Sequence, residues 1–216
     1  MTRWRNRSVN LREDVLRDVT FDIRYGEKVA LVGRNGSGKT TLLRLLSNIY
    51  ALDGGTIQLA EPPCVLFDAN VGTAPLLSVM DNVFLFAALH EIEQECIASR
   101  LDEILRLAEL DAHRFTPFRD LSKGQRQRFA LSIFLQTPRH FVIFDEALAN
   151  LDVGFLQACD RYFAALKQTD KTILMTLHDG AFLRRHCDRA LWLERGQIYM
   201  DDEVGVVLDA YEKSFD

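Results

Sequence analysis

An α/β fold built on a parallel sheet is the expectation for this 216-residue chain, and three observations predict it. The apolar run Val29-Ala30-Leu31-Val32 passes through a glycine-rich loop straight into a helix-like stretch, Thr41-Leu42-Leu43-Arg44-Leu45-Leu46. A second apolar run, Phe141-Val142-Ile143-Phe144, ends in Asp145-Glu146. Beyond Thr137-Pro138, strand-like and helix-like stretches alternate: 141–144, then a helix around 153–167, then Thr172 to Leu177. Wholly apolar runs separated by helices read as parallel strands buried on both faces, with ligands gathering at their carboxyl ends.

The remaining elements follow in chain order. Residues 15–32 are strand material (Val15-Leu16, Val19-Thr20-Phe21, then Val29 to Val32) broken by a turn at Tyr25-Gly26, which predicts an N-terminal antiparallel β part. Asp53-Gly54-Gly55 is a turn, and Thr56-Ile57-Gln58-Leu59 a short strand ended by Glu61-Pro62-Pro63. From Ser78 to about Gln136 the period becomes helical. Ile97, Leu101, Ile104, Leu105 and Ala108 share one face, as do Phe129, Ile133 and Phe134. A single domain over 1–216 with a helical subdomain inserted at about 72–136 is therefore expected, and 48% apolar content can supply its core.

Composition excludes some classes of partner. A net charge of −5 gives no global basic field, so nucleic acid is not an expected partner. Cys64, Cys96, Cys159 and Cys187 form no C-x-x-C pair and suggest neither a zinc site nor a disulfide framework. The longest apolar run, Val83 to Leu89, is too short to span a bilayer, and no apolar segment follows Met1-Thr2-Arg3-Trp4-Arg5.

The chemistry is concentrated in the glycine-rich loop. Gly33-Arg34-Asn35-Gly36-Ser37-Gly38-Lys39-Thr40, with Thr41 behind it, is a complete G-x-x-x-x-G-K-[ST] string between a strand and a helix, the arrangement of a P-loop NTPase. Backbone N–H groups at such a helix N-terminus cradle phosphate; Lys39 reaches the β- and γ-phosphates and Thr40 binds Mg²⁺. ATP and Mg²⁺ are the expected ligands. Asp145, at the end of a buried strand, is the second expected Mg²⁺ partner, and Glu146 is suited to polarise an attacking water. Leu121-Ser122-Lys123-Gly124-Gln125 opens a helix, with Ser122 read either as its N-cap or as part of an anion site. His178 follows a strand, where a histidine serves structure or catalysis.

In this order and spacing the motifs resemble the nucleotide-binding subunit of ABC transporters. The resemblance rests on the phosphate loop at 33–40, the signature at Leu121 to Gln125, the Asp145-Glu146 strand, the D-loop Ala149-Asn150-Leu151-Asp152 and the switch histidine His178. It implies the ABC ATPase fold and ATP hydrolysis with Glu146 as general base and His178 at the γ-phosphate. It also implies a head-to-tail dimer in which Ser122, Lys123, Gly124 and Gln125 of one copy close on the ATP held by the other. A polytopic permease would then be the membrane partner, with this chain peripheral on the cytoplasmic face.

The chain departs from that family at three points. Lys123 stands where the signature usually has glycine. The Q-loop glutamine is missing from Leu66 to Leu77, where Asp68 and Asn70 are the polar substitutes, Asn70 being the metal candidate. The adenine-stacking aromatic would be Trp4, the only aromatic ahead of Phe21. The stretch from Asp145 to Phe155, Ser47-Asn48-Ile49-Tyr50, His186-Cys187-Asp188-Arg189 and Ala210-Tyr211 are similar to the branch exporting O-antigen, capsule and teichoic-acid chains. The alternatives are another cargo (lipid, haem or a small molecule) or a soluble ATPase of the same type; the single phosphate loop and the lack of a long heptad run disfavour the latter. Val83-Phe84-Leu85-Phe86 reads equally as a groove wall for the permease and as subdomain core.

Overall fold

The computed structural model describes residues 14–67, 72–145 and 153–215. One sheet organises them: β1 (Lys28–Val32), β2 (Cys64–Leu66), β3 (Phe141–Asp145), β4 (Thr172–Thr176), β5 (Arg189–Glu194) and β6 (Gln197–Glu203), in the spatial order β2-β3-β4-β1-β5-β6. All neighbours are parallel except β5 and β6. β1 and β4 are buried at every position, as their unbroken sequences require of central strands. The β5–β6 hairpin turns on Arg195 and Gly196, both at positive φ (47° and 78°), the geometry that joins two twisted antiparallel strands.

The period-2 alternation of the strands divides the interior in two. Ala30, Val32, Val142, Phe144, Ile173, Met175 and Trp192 face one core, shared with α2 (Val79–Leu89), α4 (Leu101–Leu107), α5 (Lys123–Gln136), α6 (Val153–Leu166), α7 (Gly180–His186) and α8 (Val204–Lys213). Val29, Leu31, Ile143, Leu174, Leu191 and Leu193 face the other, packed against α1 (Lys39–Leu46). The short α3 (Gln94–Ala98) adds Ile97 to the larger core. Residues 79–136 carry α2 to α5 and, among the described residues, no strand.

The N-terminal part differs from expectation. Among the described residues, no ladder forms at 15–21 or 56–59, and the antiparallel pair of the sheet is β5–β6. The alternation is real: Val19, Phe21 and Ile23 are half-buried against the second core, while Thr20, Asp22 and Arg24 are exposed. Alternation creates an apolar face, but a strand also needs a neighbour for its N–H and C=O groups. Over 14–24 the backbone bonds are Arg17 N–H to the Gly196 carbonyl (2.8 Å) and the Arg24 carbonyl accepting from Glu27 N–H (3.1 Å). The edge position beside β3 is taken instead by Cys64–Leu66, just after Pro62-Pro63.

No disulfide joins the cysteines: Cys64, Cys159 and Cys187 are buried and Cys96 half-buried. Val83 and Phe86 belong to the core and Phe84 and Leu85 are half-buried. The apolar side chains left outside this subdomain are Leu76, Leu77, Leu89 and Phe115.

Candidate nucleotide site

The loop between β1 and α1 owes its shape to two glycines. Gly33 has φ 151°, and a Cβ there would lie 2.2 Å from the Leu193 carbonyl oxygen and 2.7 Å from Ser37 Oγ. Gly38, at φ 108°, caps α1, and a Cβ would lie 2.8 Å from Leu16 Cδ2. No side chain caps α1 and its first turn holds no acid, so its free N–H groups and positive dipole end are available to an anion. Ser37 Oγ is buried without a hydrogen-bond partner, an orphan of the kind a phosphate oxygen satisfies. Arg34, Asn35 and Gly36 form the exposed rim. Lys39 Nζ donates to the carbonyls of Gly33 (2.6 Å) and Arg34 (3.2 Å), folding the ammonium across the loop mouth. Thr41 sits half-buried in the first turn of α1.

Beside the loop, Asp145 ends β3 with each carboxylate oxygen held by a threonine. Thr40 Oγ1 donates to Oδ2 (3.0 Å) and Thr176 Oγ1 to Oδ1 (2.6 Å). Thr40 and Asp145 are therefore in direct contact, although 105 residues separate them. A hydroxyl and a carboxylate are hard oxygen donors, the set that suits Mg²⁺. Thr176 was not singled out from the sequence. Its signal was a polar residue closing an otherwise apolar strand, but only the register, Asp145 opposite Thr176, gives it meaning.

His178 lies two residues beyond Thr176, exposed, in the turn from β4 to α7. Asp179 follows and caps α7, its Oδ1 accepting from Phe182 N–H (3.0 Å). The loop, His178 and Asp145 thus leave the carboxyl ends of three adjacent strands, β1, β4 and β3. Glu146, Trp4, Asn70, Asp68 and the D-loop lie outside the described residues.

The signature is a formed helix start. Ser122 caps α5 in a reciprocal box, its Oγ accepting from Gln125 N–H (3.2 Å) and Gln125 Oε1 accepting from Ser122 N–H (2.9 Å). Arg126 anchors the approach, donating to the carbonyls of Leu121 (3.1 Å) and Arg119 (2.7 Å). Ser122, Lys123 and Gly124 are exposed, and a Cβ on Gly124 would meet nothing within 4 Å. Among the described residues no hydrogen bond joins this helix start to the phosphate loop. A single chain brings together Lys39, Thr40 and Asp145, and leaves Ser122, Lys123 and Gly124 exposed.

The family model described as ABC transporter matches residues 16–149, from the segment before β1 to four residues past β3. The chain belongs to the ABC transporter family. The cassette is 31% identical over 198 residues to the ABC transporter protein AbcA of Aeromonas salmonicida, an alignment covering 92% of this chain and 64% of that protein. It is 28% identical over 199 residues to the O-antigen export system ATP-binding protein RfbB of Klebsiella pneumoniae, covering 92% of this chain and 81% of that one. The chain therefore spans just under two thirds of the first relative and about four fifths of the second. Its fold is that of the ATP-binding cassette MJ0796, solved as a dimer in a post-hydrolysis state bound to ADP and Pi, with a TM-score of 0.73 and 23% identity over 88% of this chain and 90% of that one. Among the described residues of this chain, no helix is long and apolar enough to cross a membrane.

Proposed function

We propose that the cassette hydrolyses ATP at the interface of two head-to-tail copies and so powers export of a cell-surface polysaccharide through a membrane permease. The observation that supports the two-copy reading is the complementary chemistry of two exposed features, with no hydrogen bond between them among the described residues. The phosphate loop offers uncapped N–H groups, while the α5 start offers Ser122, a helix dipole and the exposed cation Lys123. A cation at the positive end of a helix is unfavourable alone and becomes favourable beside an anion. A γ-phosphate reaching out of the loop of one copy supplies that anion to the other.

In this reading Lys39 leaves the Gly33 and Arg34 carbonyls for the β- and γ-phosphates, and the N–H groups of the loop hold the rest. Thr40 and Asp145 would hold Mg²⁺, which when bound neutralises phosphate charge. Glu146 takes the proton of the attacking water, and His178 contacts the γ-phosphate from the end of β4. Loss of the γ-phosphate removes the contacts that join the copies, turning hydrolysis into dimer opening. The permease would dock on the helical subdomain around 68–90. Leu76, Leu77 and Phe115 supply exposed apolar surface there, with the cassette on the cytoplasmic face.

The polysaccharide cargo is supported by the motif likenesses of the Asp145 to Phe155 stretch and by the O-antigen export relative. The test combines turnover and assembly. Glu146→Gln is expected to bind ATP, lose hydrolysis and migrate as a dimer when ATP is present. Hydrolysis at the wild-type rate would remove Glu146 as the base, and a monomer with bound ATP would remove the two-copy site.

A further inference from the structure

The rim of the phosphate loop meets the turn that follows α8. Arg34 places its guanidinium 4.9 Å from the centroid of the Phe215 ring, 181 residues later in the chain. Phe215 packs edge-on against Tyr211 (5.0 Å, 82°), Tyr211 against Trp192 (5.2 Å, 75°), and Trp192 against Tyr199 (4.6 Å, 60°). This aromatic series is anchored at Trp192, buried in β5 and paired with Val32, the residue immediately before Gly33. It ends at Phe215, which is 54% exposed. Burial does little to hold so open a ring; its contacts with Tyr211 and Arg34 do. Burial and nearby Glu194 push the Tyr211 hydroxyl up while nearby Arg34 opposes them, which sets the loop and α8 within electrostatic reach of each other.

The inner face of the rim has a different tie. Lys39 bonds the carbonyls of Gly33 and Arg34, and that tie is released when Lys39 turns to phosphate. The backbone bond from Ser37 N–H to the Arg34 carbonyl (3.1 Å) then remains, and the stack on Phe215 is the contact that holds the Arg34 side chain. We propose that Phe215 is a positioning residue that acts through Arg34, so that the turn after α8 tunes the affinity of the phosphate loop for ATP. This rests on the reading of residues 33–40 as the ATP site. A loop already held in its binding conformation loses less freedom on binding, so the contribution appears in affinity rather than in the chemical step.

The test measures Kd and KM for MgATP, with kcat, in the whole chain. Phe215→Leu keeps an apolar side chain and removes the ring; it is expected to raise Kd and KM about two- to fivefold, the range of an exposed cation–π contact, at unchanged kcat. Phe215→Tyr keeps the ring face and is expected to bind as wild type. In an Arg34→Met background, Phe215→Leu should have no further effect. Wild-type affinity in Phe215→Leu, or an equal loss with and without Arg34, overturns the proposal and leaves Phe215 as packing alone. Equal ATP affinity in wild type and Lys39→Ala would instead overturn the ATP site itself, and the proposal with it.

Discussion

Thr176→Val probes the site through a residue that need not touch nucleotide. Its hydroxyl is buried, with the residue 1% exposed, and donates to Asp145 Oδ1 at 2.6 Å. Valine keeps the branched shape and deletes the donor. A hydrogen bond to a charged group contributes about 1.5–3 kcal/mol, and its loss leaves a carboxylate oxygen without its buried partner. Among the described residues Asp145 then keeps only the side-chain bond from Thr40, which lies on the exposed side and belongs to the expected metal set itself. The carboxylate is then free to rotate, and loss of such an outer partner typically weakens metal binding about 10–100-fold. The assay is ATP hydrolysis as a function of free Mg²⁺ at fixed ATP, with thermal unfolding alongside. The Mg²⁺ concentration at half-maximal rate should rise about tenfold or more, the rate at saturating Mg²⁺ should largely return, and Thr176→Ser should behave as wild type. An unchanged Mg²⁺ dependence in Thr176→Val would refute the chain of reasoning from Thr176 through Asp145 to the metal.

Two further predictions concern stability. Asn82 is fully buried in α2, where its Oδ1 accepts from Ala74 N–H (2.7 Å) and its Nδ2 faces the carbonyls of Ala74, Leu77 and Ser78 at 2.8–3.3 Å. Asn82→Ala should cost about 2–4 kcal/mol in urea unfolding and speed amide exchange at Ala74; wild-type exchange there would mean the loop is held by other contacts. Lys171 donates to the carbonyls of Leu135 (3.1 Å) and Thr137 (2.6 Å), and burial lowers its ammonium to about 8. Because the folded state binds this proton less tightly than the unfolded state, the group imposes a penalty below pH 8 that is relieved as pH rises from about 8 toward 10.5. Wild type should therefore gain on Lys171→Met by on the order of 2 kcal/mol between pH 7 and 10. A pH-independent gap between the two would show that Lys171 titrates normally.

Local chemistry was legible in the chain. The phosphate loop needs only a strand, two shape-setting glycines and a helix in succession, and 29–46 carry all three consecutively. The helical faces at Ile97 to Ala108 and at Phe129 to Phe134, and the buried strands 141–145 and 172–176, follow from periodicity and burial for the same reason. The N-terminal alternation gives the apolar face, and among the described residues it forms no ladder at 15–21. Whether a strand has a hydrogen-bonded neighbour is decided by what lies beside it in space, and Cys64–Leu66 took the place beside β3.

By itself, then, the sequence determined which short segments can turn N–H groups toward an anion, which runs enter a core and which family the motifs resemble. Tertiary structure decided what depends on distance along the chain. It set Thr176 against Asp145 by strand register and left the α5 start exposed. It also brought Phe215 onto Arg34 across 181 residues. The physical reason is that capping, turn geometry and apolar period act over a few residues, whereas register and ring stacking exist only after the sheet has chosen its neighbours.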